Sequence, residues 1–425
     1  MKCNIRLIIT FVLLPALNIS KLFAQTNIKQ FVKSNVQEVK TLSLSSSDFS
    51  DLSAIGDAIG DAKVVMLGEQ DHGDATTFLA KARLVRYLHE VKGFNVLAFE
   101  SDFFALNYGW DKLVKNDRSI SEFLRNTIYP IWTECDACQS LFYDYIPTTY
   151  QSGPGIRITG FDSQVEIKQI LPVLDSIVRN ADLPIVESNE YDSIVRPLIQ
   201  NWGANLKDTI LNERYLKYLT EIKTQLKYKT PSNSFWLKVI ENMEAVDFQF
   251  SNHGNFWKEM NIRDQQMASN LQWICEVAFP SDRIIVWGAS AHVAKYSGHY
   301  PQEFLNKYLS MGTQFTNDEN RKKQTYIIGF TSLSGTAGKL YPPTNYVIEK
   351  PRSNSFENWI DEKYQYAFVD FRKFNDLFPR EDKPFYMSGS SQGNSWVHKN
   401  TLAEWTKVFD GVFYIKEMSP CKRIK

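Results

Sequence analysis

The sequence carries no excess charge of either sign: 48 Lys and Arg residues face 48 Asp and Glu. A nucleic-acid binder is expected to show a clear basic excess, so that class of partner is set aside. No apolar run reaches the roughly 20 residues that a bilayer span needs, and no internal repeat or long low-complexity tract interrupts the chain, which excludes multi-spanning membrane, collagen-like and disordered proteins. Cysteine is scarce, five in 425 residues, so disulfides are not the main staple. What remains is an ordinary globular composition, 43% hydrophobic, 14% aromatic and 23% charged, with a mean hydropathy of -0.32. The length suits about two or three average domains, or one elaborated α/β domain.

Residues 1–24 read as an export signal. Basic Lys2 and Arg6 precede an apolar run from Leu7 to Leu17, broken only by Thr10 and Pro15, and Leu22-Phe23-Ala24 ends it before Gln25. The run is too short for a comfortable membrane anchor, and Cys3 stands before it, so a lipoprotein cysteine at the cleavage site is ruled out. The expectation is a mature chain from about residue 25 to 425, periplasmic or secreted, with no integral membrane association. Cleavage removes three basic residues and no acid, leaving the acids three ahead. Cys135 and Cys138 form a CxxC after Trp132, readable as a small redox or disulfide loop or as half of a zinc site. Cys275, among apolar neighbours, reads as a core thiol.

Short β-branched or aromatic runs bounded by turn residues predict strands at Val64 to Leu67, Asn95 to Phe99, Ile156 to Gly160, Arg283 to Trp287, Thr325 to Phe330, Tyr366 to Phe371 and Gly411 to Ile415. Between the first two, Phe78, Ala82, Val85, Leu88 and Val91 recur at helical spacing and leave Lys81, Arg86, His89 and Glu90 elsewhere. That strand–helix–strand unit implies a parallel pair and an α/β fold, with a central, mostly parallel sheet and flanking helices. From about 165 to 280 strand character is low and helical periodicity repeats, which predicts a helical insertion, or cap, within one α/β domain. Its Trp202, Trp236, Phe248, Phe250 and Trp257 could line a pocket or simply pack the helices.

The chemistry-bearing residues follow strand ends, where open α/β sheets place their ligands. Gly68-Glu69-Gln70-Asp71-His72-Gly73 comes directly after the first strand, and puts a carboxylate and an imidazole three residues apart between glycines. Imidazole titrates near neutral pH and a carboxylate fixes its tautomer, so the pair suits general base work. Glu100 ends the second strand, Asp162 follows the third in Gly160-Phe161-Asp162, and His292 follows the fourth. If those strands are parallel neighbours, Glu69, His72, Glu100, Asp162 and His292 share one edge. Lys81 and Arg83 on the first helix are candidates to bind a carboxylate or stabilise an oxyanion, and Arg263-Asp264 raises the same question. Gly389-Ser390-Ser391-Gln392-Gly393 fits a serine-esterase elbow formally, but no buried strand leads into it, and His398 precedes Asp410 against the usual order.

With these residues in place, the sequence resembles the erythromycin esterase family. The likeness rests on the Gly68 to Gly73 loop, Lys81-Ala82-Arg83-Leu84, the strand from Gly93-Phe94 to Glu100, Gly160-Phe161-Asp162, the run Arg263-Asp264-Gln265-Gln266-Met267-Ala268-Ser269-Asn270, the Trp287 to Val293 strand-loop and Phe409-Asp410-Gly411-Val412-Phe413. It spans about residue 50 to the C-terminus. The resemblance implies hydrolysis of a small-molecule ester, in the best-known members the lactone of macrolide antibiotics, with the loop His activating water. By position that His is His72, its companion acid Glu69 and the second-strand acid Glu100. Family members often have His-Asn-x-His after the fourth strand, where this chain has Ala289-Ser290-Ala291-His292. No cofactor is required, although two His and two Glu at one edge could ligate a divalent metal. Two other readings stay open: a metal-dependent hydrolase in the same cleft, and a small-molecule-binding protein that has lost catalysis.

Overall fold

The computed structural model describes residues 27–153, 155–231, 234–295, 299, 307–380, 384–388 and 400–424. Eleven strands occur among them: β1 (Gln37–Val39), β2 (Val64–Leu67), β3 (Val96–Asp102), β4 (Arg157–Asp162), β5 (Ile284–Trp287), β6 (Thr325–Leu340), β7 (Pro343–Val347), β8 (Tyr366–Asp370), β9 (Phe385–Met387), β10 (Thr401–Ala403) and β11 (Gly411–Met418). Every predicted strand is present. The central sheet runs β1-β8-β11-β6-β2-β5-β3-β4, with β7 paired to β6 at the side, and β9 with β10 forms a separate ribbon. The six strands from β11 to β4 are all parallel, whereas β8 and β1 close the far edge antiparallel.

Because both faces of the parallel strands are covered, β2 and β5 are buried at every position and read as continuous apolar runs rather than alternating ones. Met66, Ala98, Val286, Ile327 and Val412 pack into one core with the helices between β4 and β5. Leu67, Phe99, Trp287, Ile328 and Phe413 pack into the other, with helix α1 (Ala75–Glu90) and the segment around Trp132. Between β4 and β5 the regular elements are all helical. They include Ile167–Asn180, Thr209–Lys229, Phe235–Ser251 and α2 (Phe256–Trp273). Asp208, Ser234 and Asn255 cap the last three of these by accepting backbone N–H bonds, which ends the connecting loops sharply.

The structure departs from the sequence reading at four places. β2 and β3 are parallel but not neighbours, since β5 lies between them; strands adjacent in sequence usually pair, and here the later strand takes the central place. Lys81, off the apolar spacing of α1, is nevertheless shut away from solvent. It is fully buried, as is Arg83, because α1 is enclosed by the sheet on one side and by the 41–51 segment on the other. Cys135 is bonded to Cys421, and Cys138 is a buried free thiol. The two CxxC cysteines share one tight turn, Cys138 N–H bonding Cys135 O at 3.0 Å, while an antiparallel bridge from Cys135 to Arg423 brings Cys421 alongside. Cys275 is partly rather than fully buried, and burial pushes its thiol up to about 12. The serine-containing Gly389 to Gly393 match and residues 1–24 lie outside the described residues.

Candidate active site

The carboxyl ends of β4, β3, β5 and β2 stand side by side, and the acids and imidazoles that follow them meet at that edge. The loop after β2 is pinned where it leaves the strand: Gly68 N–H bonds Ile328 O at 3.0 Å, and Glu69 O accepts from Ser290 N at 2.8 Å. A Cβ on Gly68 would lie 2.6 Å from Ser290 Oγ, so any larger residue here would make that hydroxyl turn away from the loop.

Glu69 is fully buried and its carboxylate accepts three hydrogen bonds. Oε1 accepts from His72 Nδ1 at 2.8 Å and from Trp132 Nε1 at 2.9 Å, and Oε2 accepts from Lys81 Nζ at 2.5 Å. Lys81 Nζ also lies 4.2 Å from the centre of the Trp287 ring. Burial works against the Glu69 charge, yet the Lys81 charge and the His72 hydrogen bond hold its carboxyl below the usual range. Burial lowers the Lys81 ammonium, with Glu69 opposing. A carboxylate only accepts, so His72 Nδ1 carries the proton, and in the neutral ring the lone pair is on Nε2. Nε2 has no partner among the described residues, and the His72 side chain is 34% exposed. Burial would lower the imidazole, but the Glu69 hydrogen bond and the charges of Glu69, Glu100 and Asp71 raise it above its ordinary value.

The second imidazole is enclosed. His292 Nδ1 bonds Asp264 Oδ1 at 2.9 Å, and Asp264 also accepts from Tyr308 Oη at 2.8 Å and Met311 N at 2.7 Å. His292 Nε2 lies 3.0 Å from Arg263 Nη1 and 3.3 Å from Glu100 Oε1. The neutral ring accepts from Arg263, and the imidazolium donates to Glu100. Against burial, Asp264 and Glu100 raise His292 above its ordinary value. Arg263, reaching down from α2, grips Asp162 with two nitrogens at 3.1 and 2.7 Å and Glu100 with Nη2 at 3.0 Å. Glu100 Oε2 accepts from Ala289 N at 2.8 Å. Despite its burial, His292, Arg263 and His72 hold the Glu100 carboxyl below the usual range. Glu100 therefore feels both imidazoles and joins the two halves of the site.

Of the residues singled out from sequence, Glu69, His72, Glu100, His292, Asp162 and Lys81 come together. Lys81 and Asp162 do so inside ion pairs, not as open substrate contacts. Arg83 does not join them: its guanidinium is buried against Asp51 at 2.7 and 2.9 Å and bonds the carbonyls of Thr41 and Asp48. It anchors the segment before β2 and is removed from the substrate-binding set. Arg263 and Asp264 were raised only as a question and prove central. Trp132, Tyr129 and Tyr308 were not anticipated; Tyr129 Oη bonds Asp162 Oδ2 at 3.2 Å. The one available signal was the position of Arg263-Asp264 within the resembling run. Tyr129 also borders a cavity of about 560 Å³ lined by Asp102, Phe104, Tyr108, Phe123 and Gln164, among others.

Among the described residues, the cluster of three metal-type donors that lie close together is Cys135, Asp136 and Cys421, and its two sulfurs are bonded to each other. The zinc reading of the CxxC falls with that bond.

The chain is similar to known proteins. The erythromycin esterase family model matches residues 89–418. A putative hydrolase, YbfO, of Bacillus subtilis is 26% identical over 92% of this chain and 91% of its own length. Erythromycin esterase type II of Escherichia coli is 25% identical over 88% of this chain and 93% of its own. Among solved structures, a mutant of the erythromycin esterase EreC in its open conformation superposes with a TM-score of 0.65 at 18% identity, over 90% of this chain and 98% of that one.

Proposed function

Since the chain belongs to the erythromycin esterase family, we propose that it is a hydrolase of that type, cleaving an ester or lactone of a small molecule with His72 as general base. The observation that carries this is the His72–Glu69 pair, an imidazole with one nitrogen tied to a buried carboxylate and the other open at the sheet edge. Neutral Nε2 takes a proton from water as the water attacks the carbonyl, and Glu69 stabilises the imidazolium that forms. Negative charge then develops on the carbonyl oxygen. Lys81, Arg263 and His292 all stay paired with buried carboxylates, and of these Arg263 and His292 stabilise that charge through the local field rather than by direct contact. Erythromycin, in the name of the Escherichia coli relative, is the first substrate to test here, with Ala289 and Ser290 leaving small side chains where the family often carries His-Asn.

A metal-free mechanism is favoured by the donor set. The carboxylates that a divalent ion would need are taken by buried cations, Glu69 by Lys81, and Glu100 and Asp162 by Arg263. We further infer export to the periplasm or beyond, supported by the signal-like residues 1–24 and by the Cys135–Cys421 bond, of a kind that persists in oxidising compartments. N-terminal sequencing of the protein from its own cell should start near Gln25; an intact Met1 in the cytosol would refute export.

The function is tested by turnover of a panel of activated esters and lactones, with and without chelator, for the wild type and His72→Asn. Hydrolysis that survives chelation and disappears in His72→Asn is the expected result. No turnover of any ester or lactone, combined with tight binding of one, would identify a binding protein instead.

A further inference from the structure

The residues that end β11 and follow it lie across the outside of the loop that carries His72. Ala75 N–H bonds Ser419 O at 2.9 Å, Cys421 N–H bonds Gly73 O at 2.8 Å, and Ser419 N–H bonds Thr76 Oγ1 at 3.0 Å. The same tail is held from its other side by the 134–136 segment. Asp136 N–H bonds Lys422 O at 3.0 Å, Lys422 N–H bonds Asp136 Oδ1 at 3.0 Å, and Ile424 N–H bonds Glu134 O at 2.9 Å. The Cys135–Cys421 disulfide, joining positions 286 residues apart, fixes this arrangement covalently.

Trp132 stands one turn before Cys135, whose N–H bonds Trp132 O at 3.1 Å. Its indole is fully buried, stands edge-on to His72 at 5.7 Å, and donates to the very Glu69 oxygen that accepts from His72. We propose that the disulfide-locked tail is a positioning device: Cys135–Cys421 sets Trp132, and Trp132 sets Glu69 against His72. This rests on the reading of His72 as the base. Trp132 and the two cysteines are positioning residues, since none touches the open Nε2. A dithiol reductant opens the link by passing two electrons and two protons to its sulfurs, giving two thiols and a cyclic disulfide of the reductant. Cys138 does not substitute for Cys421 as partner, because burial pushes its thiol far up and leaves it a poor nucleophile.

The test compares oxidised protein, protein treated with dithiothreitol under native conditions, Cys421→Ser and Trp132→Phe, recording kcat, KM, the pH profile and Tm for each. In reduced wild type, Cys421→Ser and Trp132→Phe, kcat falls about 10- to 100-fold with KM little changed, since a misplacement of about 1 Å at an acting group costs that much. The apparent pKa moves down toward the ordinary imidazole value, because the Glu69 contact that raises it is loosened. Dithiothreitol has no further effect on Cys421→Ser. A tail that only supports the fold lowers Tm but leaves kcat and the pH profile at wild-type values, and that outcome overturns the proposal; if reduction unfolds the chain, Trp132→Phe, which keeps the disulfide, still tests the Trp132–Glu69 link, and wild-type kcat in it overturns the proposal. His72→Asn separates the two levels. Wild-type turnover in that variant rejects the base itself, whereas its inactivity beside an unaffected Trp132→Phe and reduced enzyme rejects only the tail's role.

Discussion

His72 and His292 stand at the ends of adjacent strands, and each ties its Nδ1 to a buried carboxylate, Glu69 at 2.8 Å and Asp264 at 2.9 Å. They differ at the other nitrogen. His292 Nε2 is closed in by Arg263 and Glu100 with its side chain 5% exposed, while His72 Nε2 is open and its side chain 34% exposed. A proton acceptor must meet its substrate; a group that shapes the local field need not. On the proposed reading, proton transfer falls to the β2 loop and charge stabilisation to the β5 loop, although the sequence presents both as a histidine after a strand.

The sharpest way to break that division is to remove each imidazole in turn. His72→Asn should lower turnover by roughly 100- to 10,000-fold, as loss of a general base does, and His292→Asn should lower it less. Wild-type turnover in His72→Asn, or a larger loss at His292, would reverse the assignment. The β5 half should instead dominate stability. Arg263→Met leaves Glu100 and Asp162 buried without their cation, and should destabilise by about 3–5 kcal/mol in a denaturant titration; an unchanged midpoint would show that the network is dispensable.

Glu69→Gln sits between these effects. It should lower kcat by about 10- to 100-fold, the size seen when an orienting group is misplaced, and shift the pH midpoint downward because the charge that raises His72 is lost. In the wild type, only neutral His72 accepts a proton, so the rate should rise with pH through a value above the ordinary imidazole pKa of about 6.5. Stability runs the other way. Both imidazoles are raised on folding, so their contribution is fully present below about 6.5 and is lost as pH climbs through the folded values. The smallest expected effect is that of a chelator, which should leave the rate unchanged; a loss restored by one divalent ion would revive the metal-dependent reading.

Much of the fold was legible because buried parallel strands leave continuous apolar runs and long helices leave a period. Glu69, His72, Glu100, Asp162 and His292 were legible for a related reason, each standing just after such a run. The partners were not. Arg263 pairs with Asp162 from 101 residues away and Asp264 with His292 from 28, and no local pattern encodes those distances. The period of α1 cannot tell which cation is enclosed; Lys81 and Arg83 are buried because Glu69 and Asp51 wait for them inside. Likewise, spacing suggested Cys138 as the mate of Cys135, whereas the chain's far end supplies it.

During synthesis β2 and β3 leave the ribosome long before β5, the strand that must lie between them. Native pairing of either with β5 has to await residue 284, and closing so long a loop slows folding more than it weakens the finished fold. A nascent chain ending in the helical region could pair β3 with β4 and so set Glu100 near Asp162, but it would lack the strand that joins them to Glu69 and His72. Its unpaired strand edges would call for a chaperone's protection, and no amino-terminal fragment that stops short of β5 should support turnover. The order of strands in the sheet thus acts as a timer, delaying the site until most of the polypeptide has been made.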